Sequence, residues 1–171
     1  MISTDKKILN YQNAARKIAR HKKQGQKIVL VTGCFDIIHL GHLLFFNDAK
    51  KCGDILVIGI GSDQTIKQLK GQSRPVMNER LRSRLLAAFT VIDYVIINKE
   101  PCLNYNIDHS ILMSKIKPDI YVVPSTDKKL ADKKALAAKY GGRLKTCRRL
   151  PPNHLKGGIS STQLLDKIKQ L

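Results

Sequence analysis

The chain has no tryptophan and only 5% aromatic residues, so it shows no platform on which nucleic-acid bases would stack. Acidic residues are scarce as well: 13 Asp and Glu stand against 31 Lys and Arg, for a net charge of +18. That balance favours anionic partners, among them nucleotides, sugar phosphates, nucleic acid and acidic lipid surfaces. The cations are spread along the chain in pairs such as Lys6-Lys7, Lys22-Lys23, Lys133-Lys134 and Arg148-Arg149. Such spreading suits a solvated surface rather than a single groove, and with so few aromatics it argues against nucleic acid. The four cysteines, Cys34, Cys52, Cys102 and Cys147, form no C-x-x-C pair, which excludes a zinc knuckle or redox couple of that kind. Reduced thiols are expected. No apolar run approaches the roughly 20 residues of a membrane span, and Met1–Lys7 lacks the apolar core of a signal peptide. The expected compartment is the cytoplasm, with no membrane partner. No repeat or low-complexity linker interrupts the chain.

What is present is an alternation. The chain is 171 residues long and 43% hydrophobic, enough for one domain with a real core. Runs rich in Ile and Val predict strands at Lys27–Thr32, Ile55–Ile60, Tyr94–Ile97, Ile120–Val123 and Arg143–Thr146. Helical patterns lie between them at Gly41–Lys51, Asn78–Phe89, Ile107–Ile116 and Leu130–Tyr140, and a last one spans Ser160–Gln170. Ahead of the first strand, Ile8, Tyr11, Ala15, Ile18 and Ala19 share one face of a basic helix over about Ser3–Gln24, closed by Gly25. The pattern predicts an α/β domain over residues 26–171, a parallel five-stranded sheet flanked by helices, with residues 1–25 as an N-terminal helical extension. Ligands of such sheets bind beyond the carboxyl ends of the strands.

The residues at those ends carry phosphate chemistry. After the first strand comes Gly33-Cys34-Phe35-Asp36-Ile37-Ile38-His39-Leu40-Gly41-His42. His39 and His42, three residues apart at a helix start, project from the same face. Gly41 between them leaves room for a phosphate, and imidazoles donate hydrogen bonds to phosphate oxygens. After the second strand, Asp63, Lys67, Lys70 and Arg74 lie on what reads as a glycine-punctuated loop suited to a triphosphate or an acceptor phosphate. Arg80 opens the next helix, from where it is expected to reach back to the phosphates. Arg82 and Arg84 read as surface cations. Asp127 follows the fourth strand, placed to face a base or sugar. Gly157-Gly158-Ile159-Ser160-Ser161-Thr162 leads into the last helix, a second anion cradle of hydroxyls and backbone N–H groups.

Taken together, these strings resemble the cytidylyltransferase-like nucleotidyltransferase superfamily over nearly the whole chain. Within it the chain is similar to the adenylyltransferase domain that acts on heptose 1-phosphate. That finer likeness rests on the Gly33–Asp36 string after a helical N-terminal segment, on Asp63 through Leu69-Lys70-Gly71-Gln72-Ser73-Arg74-Pro75-Val76, and on Ile92-Asp93-Tyr94-Val95. Two positions depart from it: Thr32 stands where those enzymes usually have Asn, and Pro124-Ser125-Thr126-Asp127 where they have Lys-Gly-Gly-Asp. The ending Gly158–Thr162 is as close to the glycerol-3-phosphate cytidylyltransferases, and FAD synthetases are similar too. The resemblance implies a Rossmann-like fold and nucleotidyl transfer from ATP or CTP to a phosphorylated small molecule. It assigns His39, His42 and Lys67 to catalysis. Gly33, Cys34, Phe35, Asp36, Gly41, Asp127, Ser160, Ser161 and Thr162 would bind the nucleotide, and Asp63, Lys70, Arg74 and Arg80 the acceptor or its phosphate. Mg2+ is expected, held through the nucleotide phosphates rather than in a protein cage. Dimerisation is common in the superfamily, and the N-terminal helix is a candidate contributor. A basic anion- or RNA-binding module that retains the fold is the non-enzymatic alternative.

Overall fold

The computed structural model describes residues 4–103, 106–147, 164–165, 167–168 and 170. Its centre is β2 (Ile28–Gly33), an Ile-Val-Leu-Val run whose apolar residues are fully buried. Such a run has no polar alternation because helices cover both of its faces. Around it stand β3 (Ile55–Gly61), β4 (Tyr94–Asn98), β7 (Ile120–Pro124) and β8 (Arg143–Cys147), all paired in parallel. The pleat sorts their side chains by twos. Val29, Val31, Leu56 and Ile58 face Phe45, Phe46 and Ala49 of α2 (Leu40–Lys50) and Leu86 and Ala87 of α4 (Glu79–Ala87). Ile28, Leu30, Val57 and Tyr121 face α1 (Tyr11–Lys23), α5 (Ser110–Ile116) and α6 (Leu130–Lys139).

With β1 (Ile8–Leu9) at one edge, the sheet order is β1-β4-β3-β2-β7-β8, so the chain moves outward from β2 in one direction through β3 and β4 and then returns to β2's other side with β7. Strand order therefore reverses between β2 and β7, and the crevice beyond their carboxyl ends is where an open α/β sheet takes its ligand.

Four parts of the chain differ from the sequence expectation. The sheet has six strands, not five: Ile8–Leu9 forms β1, paired in parallel with Val95–Ile96 at the sheet edge. The N-terminal helix does not begin at Ser3. Asn10 caps it, its Oδ1 accepting from the Asn13 N–H at 2.8 Å, and the preceding Thr4–Lys7 turn is pinned by Lys7 Nζ donating to the carbonyls of Phe89 and Ile92. Asp63–Lys70, read as loop, is helix α3, started by the Ser62 cap. Ahead of α5, Cys102–Leu103 (β5) and Asn106–Ile107 (β6) pair as a short antiparallel hairpin where the helix was expected to begin. Residues 164–165 and 167–168 are helical, as expected of the last segment. No helix among the described residues is long and apolar enough to cross a membrane.

Candidate active site

The strand-to-helix turn after β2 is built around Phe35. This residue takes a positive φ of 46°, and its buried ring packs edge-on against His42 at 5.3 Å and Phe46 at 5.1 Å. Gly33 is required by that fold-back, since a Cβ there would lie 2.8 Å from the Phe35 ring. A non-glycine residue at positive φ costs free energy and persists only where its surroundings enforce it; here the aromatic contacts do so.

His39 is the N-cap of α2 and His42 lies in its first turn. Their rings are 3.9 Å apart between centroids and tilted by 34°. The His39 N–H is directed at His42 Nδ1 in a long contact of 3.4 Å, which leaves the proton of a neutral His42 on Nε2. A Cβ on Gly41 would come within 3.1 Å of the His39 ring, so the small residue between the histidines sets their approach. The side-by-side pair expected from the sequence is therefore formed, at the switch point and at a helix N-terminus, where backbone N–H groups and the helix dipole favour an anion.

Asp36 is held by protein donors. Its carboxylate is buried and accepts from Arg74 Nε at 2.6 Å and from the N–H groups of Val76 and Met77 at 2.8 and 3.0 Å. Burial alone raises its pKa, but those donors outweigh it and hold the carboxyl below the usual range. Asp36 thus cinches the 74–77 loop against the Gly33–His39 turn (the phosphate turn, after the role expected of it). Arg74 keeps its Nη2 buried and, among the described residues, without a protein partner.

Arg82, expected at the surface, is fully buried. It donates to the carbonyls of Met77, Cys34 and Gly61 and pairs with Asp63 at 2.7 Å, joining the phosphate turn, the end of β3 and the start of α3. Arg80, expected to reach the phosphates, is exposed instead, since two helical steps of about 100° put it on the far side from Arg82. The signal was readable: Arg82 sits four residues before the buried Leu86, on the core stripe of α4. Arg84 is half exposed and pairs with Asp5 at 3.4 Å.

Asp63 is held by Arg82, and its N–H donates to Glu79. Lys67 and Lys70 stand exposed on α3. Burial pushes the Cys34 thiol up, while the charges of Lys70, Arg82 and Arg74, in that order, pull it back. Those three cations therefore gather at the phosphate turn. Beyond β7, Asp127 pairs with Lys133 and accepts from the Lys129 N–H at 2.9 Å. Thr32, at the end of β2, shares a 2.6 Å hydrogen bond with the Tyr121 hydroxyl of β7, so the residue that departs from the heptose pattern closes the floor of the crevice. Ser160, Ser161 and Thr162 lie outside the described residues. Among the described residues no three His, Cys, Asp or Glu side chains cluster as metal ligands.

Sequence reading missed a buried polar cluster at the end of β4. Asn98, Glu100 and His109 are all buried there, and the Tyr11 hydroxyl lies 2.8 Å from Asn98 Oδ1 and 2.9 Å from Glu100 Oε1, its one proton shared between them. The only signal was polar residues directly after an apolar strand.

Comparison with known proteins agrees with this geometry. Residues 30–167 match the Cytidylyltransferase-like family. The chain is 36% identical over 168 residues to the bifunctional protein HldE of Geobacter metallireducens, covering 96% of this chain and 31% of that one. It is 36% identical over 169 residues to HldE of Campylobacter jejuni, covering 98% and 32%. The chain thus spans about a third of the length of these curated relatives. A lipopolysaccharide core biosynthesis protein from Thermoplasma volcanium superposes with a TM-score of 0.61 at 31% identity, covering 73% of this chain and 97% of that one. Pantoate-beta-alanine ligase from Francisella tularensis shares the fold, with a TM-score of 0.64 at 16% identity over 96% of this chain and 78% of that one. With the histidine pair at the start of α2 and the match across most of its length, the chain belongs to the cytidylyltransferase-like family of nucleotidyltransferases.

Proposed function

We propose that the protein transfers adenylate from ATP to a sugar 1-phosphate and releases pyrophosphate. The observation that carries this reading is the His39–His42 pair, set 3.9 Å apart at the start of α2 beside the strand-order switch. An acceptor phosphate is already an anion and attacks the α-phosphorus without a protein nucleophile. What the protein must supply is positioning of two anions and donors for the charge that builds on the phosphate under attack. His42 Nε2–H and His39 suit the α- and β-phosphates. Lys67 and Lys70 suit the acceptor phosphate, with Arg74 kept on the same side by Asp36. Ser160, Ser161 and Thr162 would take the β- and γ-phosphates, and Asp127 the ribose or base.

The donors around the phosphate turn are cations and N–H groups, and the Asp36 oxygens are already engaged by three of them. That set suits a metal carried by the nucleotide. Mg2+ would be held mainly by phosphate oxygens, where it neutralises charge on the triphosphate. Likeness to a lipopolysaccharide core protein and to the HldE proteins supports a sugar phosphate acceptor, and the HldE likeness supports ATP. The Gly158–Thr162 ending favours a second reading, CTP with an alcohol phosphate such as glycerol 3-phosphate.

The test is pyrophosphate release across a matrix of ATP, CTP, GTP and UTP against sugar 1-phosphates, glycerol 3-phosphate and FMN. The expected result is turnover with ATP and a sugar 1-phosphate. Turnover with CTP and glycerol 3-phosphate alone would replace the first reading by the second. Salt-sensitive RNA binding with no turnover in any cell of the matrix would favour the anion-binding module.

A further inference from the structure

His109 precedes α5, just beyond the β5–β6 hairpin, on the β4 side of the crevice. The β5–β6 hairpin is tied to α3, which carries Lys67 and Lys70, by the Cys102 N–H donating to Gln68 Oε1 at 3.1 Å. On the functional reading above, the nucleotide would lie at the β2–β7 switch, and the β3–β4 side, with α3, would be left for the acceptor.

The proton on the His109 ring is fixed by its neighbours. Asn98 Oδ1 accepts from the Tyr11 hydroxyl at 2.8 Å and from the Glu100 N–H at 3.0 Å, so its other side-chain atom is the amide nitrogen. That Nδ2 donates to the Asp108 carbonyl at 2.8 Å and has its second N–H for His109 Nδ1 at 2.9 Å. Nδ1 is therefore an acceptor, and the neutral ring carries its proton on Nε2. Burial and the nearby Lys133 cation keep the ring neutral, with the pKa lowered to about 4. His109 is only 6% exposed, yet among the described residues no protein group accepts from Nε2–H. Among the described residues Arg74 Nη2 is the one fully enclosed side-chain polar atom without a partner, so His109 Nε2 keeps some solvent access. A buried ring fixed in one tautomer by Asn98, whose own amide is oriented by Tyr11, Glu100 and Asp108, with one donor left open, is a built hydrogen-bonding position.

We infer that His109 is a specificity-determining residue for the acceptor, its Nε2–H donating to a hydroxyl or ring oxygen of the sugar. This rests on the reading of the acceptor as a sugar phosphate. The phosphate end would be held by Lys67 and Lys70, and His109 would read the polyhydroxyl body. A neutral donor suits that body, since a hydroxyl carries no charge to be matched.

The test compares His109→Phe and His109→Gln with the wild type. For His109→Phe the acceptor KM rises about tenfold or more, the loss expected when a buried hydrogen bond to a substrate is removed, while kcat and the nucleotide KM stay within about twofold. His109→Gln, which keeps an N–H, recovers part of the loss. A deoxy acceptor lacking the contacted hydroxyl binds wild type and His109→Phe alike. An unchanged acceptor KM, or a rise in nucleotide KM instead, overturns the inference. Where His109→Phe does not fold, 15N NMR of the wild type decides: the His109 Nε2–H signal shifts on adding a sugar 1-phosphate without nucleotide. No shift while Lys67 and Lys70 signals report binding also overturns it. Absence of turnover in the whole matrix would fail the functional reading, whereas the NMR titration, run with the same phosphorylated acceptors, still judges His109.

Discussion

A single methyl group at Gly33 is a sharp probe of the phosphate turn. The added Cβ would meet the Phe35 ring at 2.8 Å, and that ring is what His42 packs on. Gly33→Ala should therefore shift the histidine more than it unsettles the core, and a displacement of about 1 Å at a reacting group costs on the order of a hundredfold in rate. His42→Ala, which removes the donor itself, should lose about a hundredfold or more in kcat with cooperative thermal unfolding retained. Near-normal pyrophosphate release by either variant would remove the histidine pair from the chemistry. Asp36 makes a different prediction. Its folded pKa is depressed, so its contribution to stability is fully present above its unfolded value, about 3.9, and is lost as pH falls through the folded value. Asp36→Asn should lose stability at pH 7 and show a shallower acid decline in urea titrations. At this scale the sequence was informative wherever a residue type has one use, as in the H-x-G-H pair. For arginine it was informative only through helix phase, because Arg82 and Arg80 look alike until the register with Leu86 decides which one is buried.

Elements were legible in proportion to their length. β2, β3, β4, β7 and β8 are each five to seven residues and fell within about a residue of expectation. β1 has two residues, and Ile8 fits the helical stripe of α1 equally well, so only the pairing with β4 distinguishes them. The cations of α3 and the glycines on either side hid its Ser62 cap and its buried Ile66. The β4–α5 junction was hidden too, because its polar residues find partners only across elements: Glu100 accepts from the Ile111 and Leu112 N–H groups and from Tyr11. That junction gives a pH prediction. The folded pKa of His109, about 4, lies below the ordinary 6.5, so between those values the unfolded chain binds the extra proton. Stability should fall as pH drops through this window, by at most about 3 kcal/mol from this group. Burial first, then Asp108, holds Glu100 above the usual carboxylate range, which works in the opposite direction at the acid end. The difference between wild type and His109→Gln in urea unfolding at pH 4 to 7 isolates the histidine, and parallel curves would contradict its neutral burial.

For the whole molecule, two groups of cations within the net charge of +18 have different consequences. Lys6, Arg16, Lys17 and Arg20 rim a recess of about 530 Å³ between residues 5–9 and α1, at the β1 edge of the sheet. Lys67 and Lys70 stand on α3 after β3, and Arg74 is held at the phosphate turn by Asp36. Three strand spacings separate β1 from β2 in the sheet order, roughly 14 Å, against a screening length of about 8 Å in physiological salt. The edge cations should therefore raise the encounter rate with anions only at low ionic strength and contribute little to substrate binding in the cell. Replacing all four edge cations by Gln should leave kcat/KM for the nucleotide and the acceptor within about twofold at 0.15 M salt and lower it measurably at 0.01 M, where the screening length is about 30 Å. Lys67→Gln and Lys70→Gln should each lower kcat/KM for the acceptor about tenfold at both salt concentrations, because a direct phosphate contact is only weakly screened. Steady-state kinetics at the two ionic strengths separate these behaviours. Equal salt sensitivity in all the variants would mean that the excess charge acts as one field and that α3 has no special claim on the acceptor phosphate.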